Sequence, residues 1–147
     1  MQWMASYAIT HRRPLYFCRT SHGATTVTHV DATQADQPDM ASHYGYWQRC
    51  CNASLRWRAF SGHQVHAATR GPELVSAVAG THVSMYQRLL MYEARLGRLP
   101  GDIIMPFFMD NTASLANATA DNVHLGSHHL AIRIGVIRQA VRDLIIK

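Results

Sequence analysis

Residues 25–31 (TTVTHVD) alternate β-branched and polar positions and end at an acid, which predicts a strand; residues 14–18 form a shorter run of the same type. Two further β-type runs, 43–51 and 54–60, are separated by Asn52-Ala53, the pattern of an antiparallel hairpin. In the second run Leu55, Trp57 and Ala59 alternate with Arg56 and Arg58, which predicts an apolar and a basic face. A long helix is expected to open near Thr69, because Pro72 suits a first helical turn, and to stop at Gly97. Leu74, Val78, Met85, Leu89 and Leu96 fall roughly along one side of it. Residues 103–109 (IIMPFFM) are apolar without alternation, as in a strand covered on both faces, and Asp110 ends the run. A short helix is expected from about residue 112 to 117. A last helix is expected after Ser127 as N-cap, with an apolar stripe of Leu130, Ile134, Ile137, Val141 and Leu144. Strands, hairpin, helix, buried strand and two helices make a mixed α/β domain.

The chain's 147 residues fit one domain and leave no room for two. With 48% hydrophobic and 16% charged residues it is globular in composition. Fourteen Lys+Arg against nine Asp+Glu give a net charge of +5, and Lys147 is the sole Lys, leaving 13 Arg. The guanidinium fork matches phosphate oxygens, so this balance favours nucleic acid over a membrane surface as partner; GC-rich codon usage explains the Arg excess equally well. Residues 1–6 lack a basic region followed by a long apolar run, and the longest apolar run, 103–109, is too short to span a bilayer. Three cysteines, Cys18, Cys50 and Cys51, are poor material for a disulfide framework. These features predict an intracellular protein, in cytoplasm or nucleus, that is not secreted and has no membrane partner.

Three acids stand where chemistry is often built. Asp31 ends the first clear strand, Glu73 lies in the first turn of the long helix, and Asp110 ends the apolar strand. In an open α/β sheet, strand ends and nearby helix starts converge on one crevice. Carboxylates gathered there repel one another unless cations lie between them, and Mg²⁺ prefers such hard oxygen ligands. Each acid also fits an ordinary surface role: a strand-end Asp, a Glu favoured by the helix dipole, an Asp capping a helix.

Beyond these spacings, the chain resembles the ribonuclease H domain of copia-type LTR retrotransposon polyproteins over nearly its whole length. The matching stretches are 29–32 (HVDA), 42–46 (SHYGY), 55–58 (LRWR) with Gln64 downstream, 69–74 (TRGPEL), 109–115 (MDNTASL) and 124–138 (HLGSHHLAIRIGVIR). The resemblance implies a ribonuclease H-like fold, a mixed sheet with antiparallel hairpin strands and flanking helices. It also implies that residues 1–20 are a remnant of the reverse transcriptase connection and that residues 21–147 form the ribonuclease H-like domain, without its last strand and helix. Asp31, Glu73 and Asp110 take the roles of catalytic, metal-binding acids, with two Mg²⁺ (or Mn²⁺) ions as cofactor. The chain departs from the pattern at Thr33 and Gln34, where members usually carry Asp and Trp. Arg70-Gly71-Pro72 replaces an acidic run, and Ala131 stands where an Asp is common. The fourth metal-binding Asp has no counterpart, since Asp143 falls too early.

The activity so implied is endonucleolytic hydrolysis of RNA in an RNA–DNA hybrid; the alternative is a catalytically inactive nucleic-acid-binding or structural module of the same fold. Arg56, Arg58 and Arg70 flank the acids in sequence and are the candidates for holding backbone phosphates. A reverse transcriptase domain or a larger assembly is a further expected partner. Trp57 and Tyr46 are expected in the core. His124, His128 and His129 lack a Cys or acid at ligand spacing, which argues against zinc.

Overall fold

The computed structural model describes residues 26–34, 41–51, 53–62, 70–94, 104–119 and 128–147, with the backbone alone for Arg70, His128 and His129. Residues 1–25, with the expected run at 14–18 and the connection remnant, lie outside the described residues, as do Gln64, His124 and Ser127. The elements are β1 (Thr26–Thr33), β2 (Ser42–Cys50), β3 (Ala53–Gly62), α1 (Arg70–Glu93), β4 (Phe107–Met109), α2 (Thr112–Thr119) and α3 (His128–Arg142). The protein is α/β, with a mixed four-stranded sheet in the order β3-β2-β1-β4. None of its described helices is long and apolar enough to cross a membrane.

β1, β2 and β3 form an antiparallel meander, and β4 returns parallel to β1 after the helical crossover through α1. The β2–β3 hairpin turns one residue earlier than expected: Cys51, at φ 53° in the left-handed region, leaves the strand and Ala53 already pairs with Cys50. Beyond α3 the chain comes back to the sheet. Met105 N donates to Ile145 O and Lys147 N to Met105 O, at 2.9 and 3.2 Å, and Phe107 N donates to Lys147 O at 2.9 Å. Ile146 thus bridges Met105 in parallel at the free edge of β4. The expected apolar strand is shorter than its run, and it is not covered on both faces: Phe108 is 53% exposed. Its partners explain this, because the helices pack together on one side of the sheet.

α1 lies against β1 and β2, and α3 packs on α1 and α2. One cluster joins them, built on Val30, Leu74, Ala77, Met105, Ile134 and Ile137. Among the described residues no element lies on the opposite face. α1 approaches the sheet through small residues, Ser76, Ala77, Gly80, Thr81 and Ser84, all buried. A Cβ at Gly80 would overlap Val30 Cγ1 and meet Phe107 Cε2 at 3.0 Å, so this close seat requires a glycine. The expected leucine stripe therefore holds at Leu74 and Val78 but not at Met85 and Leu89, which are exposed. Geometry supplies the reason. At 24 residues α1 is about 36 Å long, whereas the eight residues of β1 span about 27 Å, so the helix overhangs its sheet. On α3, Ile134 and Ile137 are buried as the stripe predicts. The helix ends before Leu144, which has φ 53° and is exposed, and Ile145 and Ile146 enter the core instead.

Candidate metal centre

The chain direction of each element brings the three acids together. β1 and β4 run in parallel and pair through Val30↔Met109, so Asp31 and Asp110 follow side by side. Asp31 does not end its strand as expected, since β1 stays paired with β2 through Thr33, while Asp110 follows the last residue of β4. β3 runs in the same direction and delivers the chain to that end, where α1 begins. Glu73, in the first turn of α1, is therefore carried to the place where β1 and β4 present their acids. Each of the three offers a carboxylate oxygen, and these lie within 4.8 Å of one another.

Local bonds hold the corner. Ser76, one turn into α1 and fully buried, has its Oγ 2.7 Å from the Asp31 carbonyl oxygen and 2.6 Å from that of Gly45, sharing one proton between them. This ties the helix start to both β1 and β2 beneath the acids. Asp31 Oδ1 accepts from the Ala32 amide at 2.8 Å. Asn111, not Asp110, caps α2: its Oδ1 accepts from Ser114 N at 2.9 Å. The ordinary role open to Asp110, capping a helix, is thus filled by its neighbour, and Asp110 stays exposed at the cluster.

Glu73 differs from its two neighbours. It is buried, and its Oε2 has no hydrogen-bond partner in the protein. Burial, then the charges of Asp110 and Asp31, push its carboxyl up to about 7, against a partial pull from the Ala32 backbone amide. Such a group is costly to ionise alone and is eased by a cation. Three hard oxygen donors, one of them an orphaned buried atom, fit a divalent metal ion.

The arginines are placed differently. Arg56 and Arg58 lie on β3, the edge strand, with β2 between them and β1. Their register partners Gln48 and Tyr46 belong to the helix side of the sheet. There Arg56 lies over the Tyr86 ring of α1 at 5.8 Å and Arg58 over Phe60 at 5.1 Å. Arg70 opens α1 at the acidic end, and its side chain is outside the described residues. Asp143 does not join the acids, and its Oδ1 accepts from Gln139 Nε2 at 2.9 Å. Trp57 is not in the core: it is 62% exposed, because the helix side of β3 is taken by the Arg56 and Arg58 parity. Tyr46 does pack against the core. The sequence pattern singled out all three acids but not Ser76, whose only signal was its place one turn after Glu73.

No protein-family model matches the chain, and no curated protein matches it at a significant level.

Proposed function

We propose that this chain is a ribonuclease H-like domain of copia-type retrotransposon ancestry that hydrolyses the RNA strand of RNA–DNA hybrids with Mg²⁺ or Mn²⁺. The observation that carries the reading is the meeting of Asp31, Glu73 and Asp110 within 4.8 Å, from three separate elements. An α/β domain with an antiparallel meander, a parallel fourth strand and its acids at one sheet end is compatible with that fold.

Asp31 and Asp110 supply exposed carboxylates from adjacent strands, and Glu73 supplies the buried one from the helix. When bound there, divalent metal provides activation of water and stabilisation of the departing 3′ oxygen. Glu73 must give up its proton to serve as a ligand, and with its carboxyl near 7 that release falls in the neutral range. Ser76 acts at a distance from the chemistry, holding the backbone of Asp31 so that its carboxylate faces the other two. A hybrid would be held by its backbone phosphates, for which Arg56, Arg58 and Arg70 remain the proposed cations.

A second reading is a non-catalytic nucleic-acid-binding module of the same fold, favoured by the exposed rings of Trp47, Trp57 and Phe108 on the sheet. One assay separates them. An end-labelled RNA–DNA hybrid is incubated with the protein in Mg²⁺ or EDTA, beside Asp110→Asn. Cleavage that needs the metal and falls to background in Asp110→Asn is expected. Cleavage no greater than that of the variant, with hybrid binding retained, would replace the nuclease reading by the binding module.

A further inference from the structure

The sheet face away from the helices carries a row of rings. Register pairs Phe108 of β4 with His29 of β1, His29 with Trp47 of β2, and Trp47 with Trp57 of β3. The row therefore crosses all four strands without a gap. His29 stacks between two neighbours, 5.1 Å from Phe108 at an interplanar angle of 18° and 5.4 Å from Trp47 at 26°. Trp47 is fixed by its indole N–H, which donates to Ser54 Oγ at 2.9 Å. Trp57, Phe108 and Trp47 are 62%, 53% and 43% exposed, far more than large aromatics usually are.

The surroundings of the row are polarised. On one side Arg49, two residues after Trp47, sets its guanidinium 5.7 Å from the Trp47 ring centre. On the other side a shallow cavity of about 390 Å³ opens over Gly45 and Ala59, bounded by Trp47 and Trp57 and reaching Asp31. Gly45 leaves that floor bare. The next positions after His29 and Phe108 on the same face are Asp31 and Asp110, so the rings lie between a cation and the acidic corner.

We infer that this open face binds single-stranded nucleic acid, with an unpaired base seated in the cavity between Trp47 and Trp57 and a backbone phosphate on Arg49. His29 already covers one face each of Phe108 and Trp47, and the cavity of about 390 Å³ beside Trp57 leaves room for a base. Base stacking on aromatic platforms is the general way a sheet engages unpaired strands, and paired bases have no free faces to offer. The charge on this face is polarised, so a backbone phosphate is directed to the Arg49 end and away from Asp31 and Asp110. A second copy of the chain would also suit exposed Trp and Phe, and oligomeric state separates it from a nucleic acid. The inference does not rest on the nuclease reading, because stacking needs no metal.

The test is made in EDTA with the full chain and fluorescein-labelled dT12 and U12, following anisotropy and tryptophan quenching. Both strands are expected to bind with quenching, and Trp57→Ala to weaken binding about tenfold or more, while Trp57→Phe keeps most of it. Arg49→Ala should lower the slope of log K against log salt by about one. Thermal melts of Trp57→Ala that overlay the wild type establish that the loss is at the surface. Equal binding by Trp57→Ala, binding of a hybrid duplex in preference to the single strands, or no binding of either strand would each overturn the inference. So would a dimer that Trp57→Ala dissociates without change in oligonucleotide affinity, since a second copy would then occupy the face. A positive result in EDTA stands whether or not the hybrid is cleaved in Mg²⁺.

Discussion

The two faces of this sheet are made by alternate residues of the same strands and obey opposite rules. On the helix side the strands bury polar groups: Thr28 and Gln48 are both fully buried. Thr28 Oγ1 lies 2.8 Å from Ser84 Oγ of α1 and accepts from Gln48 Nε2 at 3.2 Å, and Ser84 also reaches the Gly80 carbonyl at 2.9 Å. On the far side large rings stand in solvent. The difference shows that burial here follows the contour of α1 rather than hydropathy. A helix that seats itself through Ala77, Gly80 and Ser84 comes close enough to hydrogen-bond Thr28 directly and to bury Gln48, whose Nε2 is bonded while its Oε1 has no partner. Larger side chains on that parity would hold it off. Tyr44, Tyr46 and Phe107 stand on the helix side around that seat, and the exposed rings Trp47, Trp57 and Phe108 are left to the other face.

This contrast can be broken at single positions. The largest effect is expected along α1, where Leu74 is fully buried and Leu89 is 52% exposed. Leu74→Ala should cost about 2–5 kcal/mol in urea unfolding, and Leu89→Ala about 0.5 kcal/mol or less. Similar costs would mean that the overhanging half of the helix is packed after all. Glycines on the two faces come next. Gly80→Ala pushes a methyl into Val30 and Phe107 and should destabilise by about 1–3 kcal/mol, despite the better helix propensity of alanine. Gly45→Ala meets nothing closer than the Arg58 carbonyl oxygen at 3.6 Å and should leave stability nearly unchanged, while filling the cavity floor and weakening oligonucleotide binding. A Gly80→Ala variant as stable as wild type would refute the close seat.

The smallest effect belongs to the corner where the faces meet. Glu73 carries a carboxyl raised from 4.5 to about 7 in the fold, so between those values the native state binds more protons than the unfolded chain. Its contribution therefore declines as pH rises from about 4.5 through about 7 and stays low above. In EDTA, Glu73→Gln should remove this decline and be more stable than wild type above neutrality by roughly 1 kcal/mol, after allowance for solvent screening. Mg²⁺ should raise the wild-type melting temperature at pH 7.5 and leave that of Glu73→Gln nearly unmoved. Parallel stability–pH curves for the two proteins in EDTA would show that the acids do not press on Glu73.

Much of the fold is written in short-range signals. The Asn52-Ala53 break marks the hairpin, Pro72 the helix start, and the Ile134/Ile137 spacing the buried side of α3, because turns, caps and helical periods depend on neighbours a few residues away. The acids were legible too, as residues at or near the ends of such elements. Period-two alternation, by contrast, divides a strand into two faces without saying which one is inside. In β3 it assigned Trp57 to the core and Arg56 and Arg58 to solvent. The structure turns the arginine parity toward α1, where Arg56 meets the Tyr86 ring, and leaves Trp57 in water on the face away from the helices. For the run at 103–109, the apolar content was read as cover on both faces, whereas the described helices supply cover on one.

What the sequence by itself determined is the set of elements and the three acids at or near their ends. The tertiary structure alone decided that these acids meet. Asp31 and Glu73 are 42 positions apart and Glu73 and Asp110 are 37 apart, and no local rule spans such distances. Their meeting depends on β4 pairing in parallel with β1 through Val30↔Met109, and on α1 starting at the end where both strands finish. The aromatic row is decided in the same way, by the register that aligns Phe108, His29, Trp47 and Trp57. A shift of one residue in any pairing would send a ring to the other face, and only the close seat of α1 on the sheet fixes which face remains open.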